Sequence, residues 1–232
     1  MNNILVAGAG KGIGLSVVQR LQATANVYAL SRTVTDELRA ANATVLEGTM
    51  PDNAGVLDQL PDVLHGAVYC PGSINLKPFN RLSNEDFLND FRQNVLGAVT
   101  LLQRVQSRLK AANGASVVLF STVAAAVGMP FHASIAASKS ALEGLAKSLA
   151  AEWASAQIRV NVIAPSLTDT PLAAALLNTP EKREASAKRH PLQRIGDPAE
   201  VAEAVAFLLG NGSAFMTGQV LGMDGGMARL KV

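Results

Sequence analysis

Residues 3–14, NILVAGAGKGIG, constrain the fold more than any other stretch. The apolar run Ile4-Leu5-Val6-Ala7 has the length of a buried strand. Three glycines, Gly8, Gly12 and Gly14, separate it from the helical spacing of Leu15, Val18 and Leu21. The sequence predicts a strand, a tight turn and a helix. Such a turn lets backbone N–H groups at a helix N-terminus face a pyrophosphate, because glycine has no Cβ to hold the phosphate away and the helix dipole favours an anion. The spacing is G-x-x-x-G-x-G. The commoner G-x-G-x-x-G does not fit, since Ile13 stands where its last glycine would be. An ordinary strand-to-helix corner carries glycines too, so the rest of the chain decides.

A chain of 232 residues, 49% hydrophobic and 16% charged, fits one well-buried α/β domain over residues 1–232 better than two small ones. Its formal net charge of +2, with both signs interspersed, gives no footprint for nucleic acid or a membrane surface. Cys70 is the single cysteine and has no internal disulfide partner. Residues 1–3 lead into the first strand without the basic and apolar regions of a leader, so the cytoplasm is the expected compartment.

Residues 26–30 (NVYAL) form the expected second strand, and Ser31-Arg32 stands at its end, where a dinucleotide-binding fold meets the adenosine ribose. A guanidinium there pairs with a 2′-phosphate, so Arg32, with Lys11 in the glycine turn, points to NADP(H) over NAD(H); a solvated loop arginine is the alternative. Residues 43–46 are a third strand and 52–60 two or three helical turns that Asp52 can cap. Residues 66–70 are a fourth strand ending at Pro71-Gly72, where a cofactor ribose can pass. From the N-cap Ser83, one long helix is expected to run to Lys110, with Asn94 mid-helix and a stop at Asn113-Gly114. Residues 116–120 are a fifth strand, followed by Ser121-Thr122, whose hydroxyls are expected to point into the site. An alanine-rich helix spans 134–154, and 159–164 is the sixth strand. A substrate lid follows at about 168–192, its helices interrupted by Pro180 and Pro191. Asp197-Pro198 starts a helix, and 219–223 is the last strand. The alternation predicts a Rossmann-like, doubly wound parallel sheet of about seven strands with helices on both faces.

These residues resemble the short-chain dehydrogenase/reductase family along nearly the whole chain. The motifs are Gly8-x-x-x-Gly12-x-Gly14, Asn94-Val-Leu-Gly97, Ser121-Thr122, Ala137-Ser138-Lys139, Arg159-Val-Asn161 to Pro165 with Thr170-Pro171, and Thr217-Gly218-Gln219 to Gly226. The resemblance implies a cofactor held by Gly8, Gly10, Lys11, Gly12, Ile13, Gly14, Ser31, Arg32, Cys70, Pro71, Gly72, Asn94, Lys139, Pro165, Thr168 and Thr170. It implies that Lys139 bonds the nicotinamide ribose, that Asn94 holds a water behind it, and that Ser121 and Thr122 orient the substrate. In that family a tyrosine four residues before the lysine donates the proton to the substrate. Here that position is Ile135, and a hydrocarbon donates none, a loss worth about 10² to 10⁴ in rate. Tyr69-Cys70-Pro71-Gly72 stands for the usual N-N-A-G, Thr122 falls at the catalytic serine, and Ser166 replaces a usual glycine.

In the related enoyl reductases the tyrosine lies seven residues before the lysine, which here is His132. Imidazoles titrate near neutrality, so His132 is a candidate donor; a packed or solvated loop histidine is the alternative. Three functions follow. One is an NADP(H)-dependent reductase of a small carbonyl, alcohol or enone, its proton coming from His132 or a water relayed from Lys139. The others are a non-catalytic NADP(H)-binding sensor or scaffold, and a non-redox reaction on the same scaffold. No metal site is expected. Family members pair through helices corresponding to about 83–110 and 134–154 and through the last strand, so a homodimer or homotetramer is expected.

Overall fold

The computed structural model describes residues 1–231. Seven parallel strands form one sheet in the order β3-β2-β1-β4-β5-β6-β7. They are β1 Asn2–Ala7, β2 Ala25–Ser31, β3 Thr44–Glu47, β4 Gly66–Tyr69, β5 Ala115–Phe120, β6 Ile158–Pro165 and β7 Val220–Met223. β5 is buried at all six positions, as a continuous apolar run demands in a strand covered on both faces. Ile4 pairs with both Val27 and Gly66, so β1 sits centrally and the chain reverses direction across the sheet beside it. That reversal opens the crevice at the carboxyl edge where nucleotides bind in such folds.

Helices α1 Gly12–Leu21 and α8 Pro198–Leu209 cover one face, over a core holding Val6, Val18, Val118 and Leu208. On the other face α4 Gly97–Ala111 and α6 Ala133–Trp153 bury Leu101, Leu102, Leu142 and Trp153 against Leu5 and Leu119. Each such leucine contributes about 2 kcal/mol by leaving water. The remaining helices are α2 Asp36–Ala40, α3 Asn84–Phe91, α5 Val123–Ala126 and α7 Pro180–Lys188. Among the described residues no helix is long and apolar enough to cross a membrane.

Three expectations need correction. The long helix is two helices, α3 and α4, joined by a π turn at Arg92–Leu96 that carries Asn94. The extra residue displaces the Gln93 carbonyl from the helical ladder, and the Tyr69 hydroxyl donates to it at 2.7 Å. Asp52 does not cap its segment; it pairs with Arg92, and the 3-10 turn Ala54–Gln59 begins after Asn53 without a side-chain cap. Pro180 interrupts nothing: it occupies the first turn of α7, behind the N-cap Thr179, where its missing N–H has no cost. Ser83 caps α3 and Asp197 caps α8, each in a capping box. Asn113 (φ 50°) and Gly114 (φ 138°) take the left-handed backbone expected at the end of α4.

Candidate active site

The glycine turn lies between β1 and α1. An added Cβ on Gly14 would collide with the Gly8 carbonyl, so strand end and helix start touch only because residue 14 has no side chain. A groove of about 390 Å³ runs from this turn along Ser31, Arg32 and Thr33 to Cys70, Pro71 and Gly72. Ser31 is turned inward, its hydroxyl donating to the Thr33 carbonyl at 2.8 Å, which fixes the loop that presents Arg32. Arg32 and Lys11 are exposed, line the groove and have no ion pair among the described residues; no carboxylate lines it.

Where the groove meets a larger cavity of about 600 Å³, Lys139 rises from α6. It is 6% exposed, and its ammonium donates to the Phe120 carbonyl at 2.8 Å. Burial pulls its pKa down to about 8. Asn94, wholly buried, donates through Nδ2 to Ser138 at 3.2 Å and Ser73 at 3.3 Å, while its Oδ1 has no partner. Both Lys139 Nζ and Asn94 Oδ1 lie just beyond the open side of Gly72, where a Cβ would stand 3.6 and 3.7 Å from them. A buried acceptor without a donor, facing an ammonium with N–H groups to spare, fits a hydroxyl-rich ligand such as a ribose. The residues present therefore fit a nicotinamide dinucleotide.

Thr122 and Ser121 both line the large cavity, with their hydroxyls differently engaged. Ser121 donates to Glu143 Oε1 at 2.6 Å, so its proton is directed away from the cavity, against expectation. Thr122 Oγ1 accepts the Ala124 N–H at 3.3 Å as the N-cap of α5, which leaves its own proton free to donate. The Cys70 thiol lines both spaces, and burial pushes its pKa up to about 12, too high for a nucleophilic thiolate. Tyr69 is 1% exposed in the core with its phenol raised further by burial, so it does not lie along a ribose path.

Comparison with known proteins decides the family. A family profile described as Enoyl-(Acyl carrier protein) reductase matches residues 12–228. A tropinone reductase homologue of Arabidopsis thaliana is 37% identical over 240 residues, covering 96% of this chain and 90% of the relative. A 3-oxoacyl-[acyl-carrier-protein] reductase of Thermotoga maritima is 33% identical over 240 residues, with 96% of each chain covered. A short-chain type dehydrogenase/reductase from Mycobacterium ulcerans superposes with a TM-score of 0.87 at 30% identity, covering 98% of this chain and 90% of that one. The chain is a short-chain dehydrogenase/reductase. A putative NAD(P)-dependent gluconate 5-dehydrogenase from Beutenbergia cavernae, solved with NADP bound, has a TM-score of 0.89 at 28% identity over 97% of this chain and 96% of its own.

In this short-chain dehydrogenase/reductase Ile135 lines the large cavity one helical turn before Lys139, and is 6% exposed. His132 lines the same cavity at the start of α6, half-buried, with Nδ1 2.7 Å from the Pro130 carbonyl. Pro165 at the end of β6, with Thr168 and Thr170 beyond it, lines the same cavity. Sequence reading missed two polar groups. Asp90, 3% exposed, accepts from Ser73 and Ser134, each at 2.6 Å, and so ties α3, α6 and the loop after β4 together. His190, 1% exposed, lies 2.9 Å from the Ser166 hydroxyl. Ser166 carried a signal, as a departure from the family's glycine, but its partner is 24 residues away and no spacing links the two.

Proposed function

We propose that this protein is an NADP(H)-dependent oxidoreductase acting on a small carbonyl, alcohol or enone, with a proton donor other than residue 135. The observation that carries the reading is the convergence of Lys139 Nζ and the unpartnered Asn94 Oδ1 beside Gly72, at the end of the glycine-turn groove. When bound, the cofactor supplies or accepts the hydride. Lys139 holds its ribose hydroxyls, Asn94 holds a water behind them, and Pro165, Thr168 and Thr170 hold its carboxamide end. Arg32 and Lys11 meet the 2′-phosphate. Thr122 donates to the substrate oxygen and fixes the carbonyl, with Ser121 and Glu143 bracing the strand end behind it. His132 and a water at Lys139 are the two proton sources the sequence offers.

Titration with NADPH and NADH, followed by nicotinamide fluorescence, tests the reading. Tight binding selective for NADPH is expected. Arg32→Ala is expected to weaken NADPH about tenfold or more, as loss of a charge-assisted phosphate contact does, and to leave NADH little changed. Failure of both nucleotides to bind would sink it.

A further inference from the structure

Behind the large cavity lies a second one of about 350 Å³, lined by His190, Arg194, Asp197, Glu200 and Asp224. Among the described residues only Ser166 and Thr168 line both spaces, so the two cavities share a wall two residues wide. One of those side chains is bonded to an imidazole. His190 Nε2 is 2.9 Å from Ser166 Oγ, and His190 Nδ1 is 2.9 Å from the Ser186 carbonyl in the last turn of α7. A carbonyl only accepts, so Nδ1 carries a hydrogen; in the neutral ring Nε2 then accepts from the Ser166 hydroxyl. The backbone of Ser166 is fixed as well, its N–H donating to the Met223 carbonyl at 3.1 Å and its carbonyl accepting from the Thr168 hydroxyl at 3.1 Å.

We propose that Ser166 and His190 are the proton donor that replaces the missing tyrosine: a relay that passes a proton from the second cavity, through the shared wall, to the substrate oxygen. The proposal rests on the reductase reading above. With His190 protonated, Nε2–H donates to Ser166 Oγ and the serine proton is free to point into the large cavity. As hydride from the reduced nicotinamide reaches the carbonyl carbon, the carbonyl π pair moves onto oxygen, which takes the Ser166 proton. Ser166 takes the Nε2 proton in turn. The product is an alcohol, and His190 is left neutral with Ser166 donating to Nε2, the arrangement that the Ser186 carbonyl at Nδ1 dictates for the neutral ring. The ring recharges at Nε2 from water in the second cavity once the serine hydroxyl turns aside. The charged groups facing that cavity are Arg194, paired with Glu200 on α8 at 2.6 Å, Asp197 at the α8 N-cap, and Asp224 after β7, whose two oxygens accept the N–H groups of Gly226 and Ala228. Lys188 at the end of α7 is exposed and lines neither space, while the exposed cations Lys182 on α7 and Arg189 just past it line the large cavity.

Two measurements on the protein test the relay. The first is ¹⁵N NMR of histidine-labelled protein without cofactor. The neutral His190 ring is expected to hold its hydrogen on Nδ1, and its titration is expected to move when Ser166→Gly removes the hydroxyl. A neutral ring protonated on Nε2, or a titration indifferent to that change, overturns the proposal whatever the activity. The second is NADPH oxidation with ethyl acetoacetate and with cinnamaldehyde across pH. Ser166→Gly and His190→Asn are each expected to lower turnover about a hundredfold and to abolish its fall at alkaline pH, the loss a positioned general acid predicts. Ser166→Thr, which keeps a hydroxyl, is expected to retain most of the rate. Because glycine is the family's usual residue at 166, that variant separates loss of chemistry from loss of fold. Turnover within threefold of the parent in Ser166→Gly overturns the relay. Absence of NADPH binding instead defeats the reductase reading, and leaves the NMR result to stand by itself.

Discussion

Lys139 keeps an ammonium almost out of water with a single protein acceptor, and that has a price in stability. Its pKa falls from the ordinary 10.5 to about 8, so the charged form is disfavoured in the folded protein by about 3 kcal/mol. The sign follows: the cost is absent above pH 10.5, grows as pH falls toward 8, and is complete below it. Lys139→Met is therefore expected to raise the melting temperature of the cofactor-free protein at pH 7. NADPH should stabilise the parent protein and not the variant; thermal melts with and without nucleotide check both. Ile135 makes a second prediction at this scale. It lines the cavity one turn from Lys139, where a phenol would reach the same space, so Ile135→Tyr in the Ser166→Gly background should restore carbonyl reduction at least tenfold, read by NADPH oxidation. Lys139, Asn94 and the glycine turn were legible in the sequence because local motifs carry them. Asp90 with Ser134, 44 residues apart, and Ser166 with His190 were not, because only the fold brings such pairs together.

The π turn is the element that local pattern could not reveal. Its single extra residue leaves the apolar spacing of 84–110 readable as one helix, and the break appears only in what it does to Gln93 and Asn94. Strands and caps were legible for the opposite reason: apolar runs, Ser83 and Asp197-Pro198 act within a few residues. Gly97, just after the π turn, faces Tyr69 so closely that an added Cβ would overlap the phenol oxygen. Gly97→Ala is expected to destabilise the protein by about 2 kcal/mol or more through overpacking. Tyr69→Phe should cost about 1 kcal/mol for its lost hydrogen bond, yet the double variant should be more stable than the sum of the two, since removing the hydroxyl makes room for the methyl. Urea denaturation of the three variants measures that coupling.

Across the whole molecule, two groups of exposed apolar side chains fall on elements of interest for assembly. Leu88, Phe91 and Leu96 are exposed along α3 and the π turn, and Phe207, Phe215 and Val220 near the open edge at β7. They fall on or beside two of the elements through which the family resemblance implies pairing, about 83–110 and the last strand, and a stable pairing covers about 800 Å² on each partner. Sedimentation at micromolar concentration is expected to give a dimer or tetramer, and Leu88→Asp with Phe91→Asp a smaller species of unchanged circular dichroism; a monomeric parent protein would contradict this. The order of the strands also bears on how the molecule is made. β1 to β4 form one contiguous block of the sheet, so the strands around the glycine turn and Arg32 all come from the first 69 residues. β5, β6 and β7 then add to one edge in turn, each onto the strand before it. The glycine turn and Arg32 thus come early in the chain, whereas the groove's far wall at Thr170 to Leu172 and the second cavity's wall at Gly222 to Gly226 come after Lys139, so both spaces close only when the last third of the chain has joined the sheet.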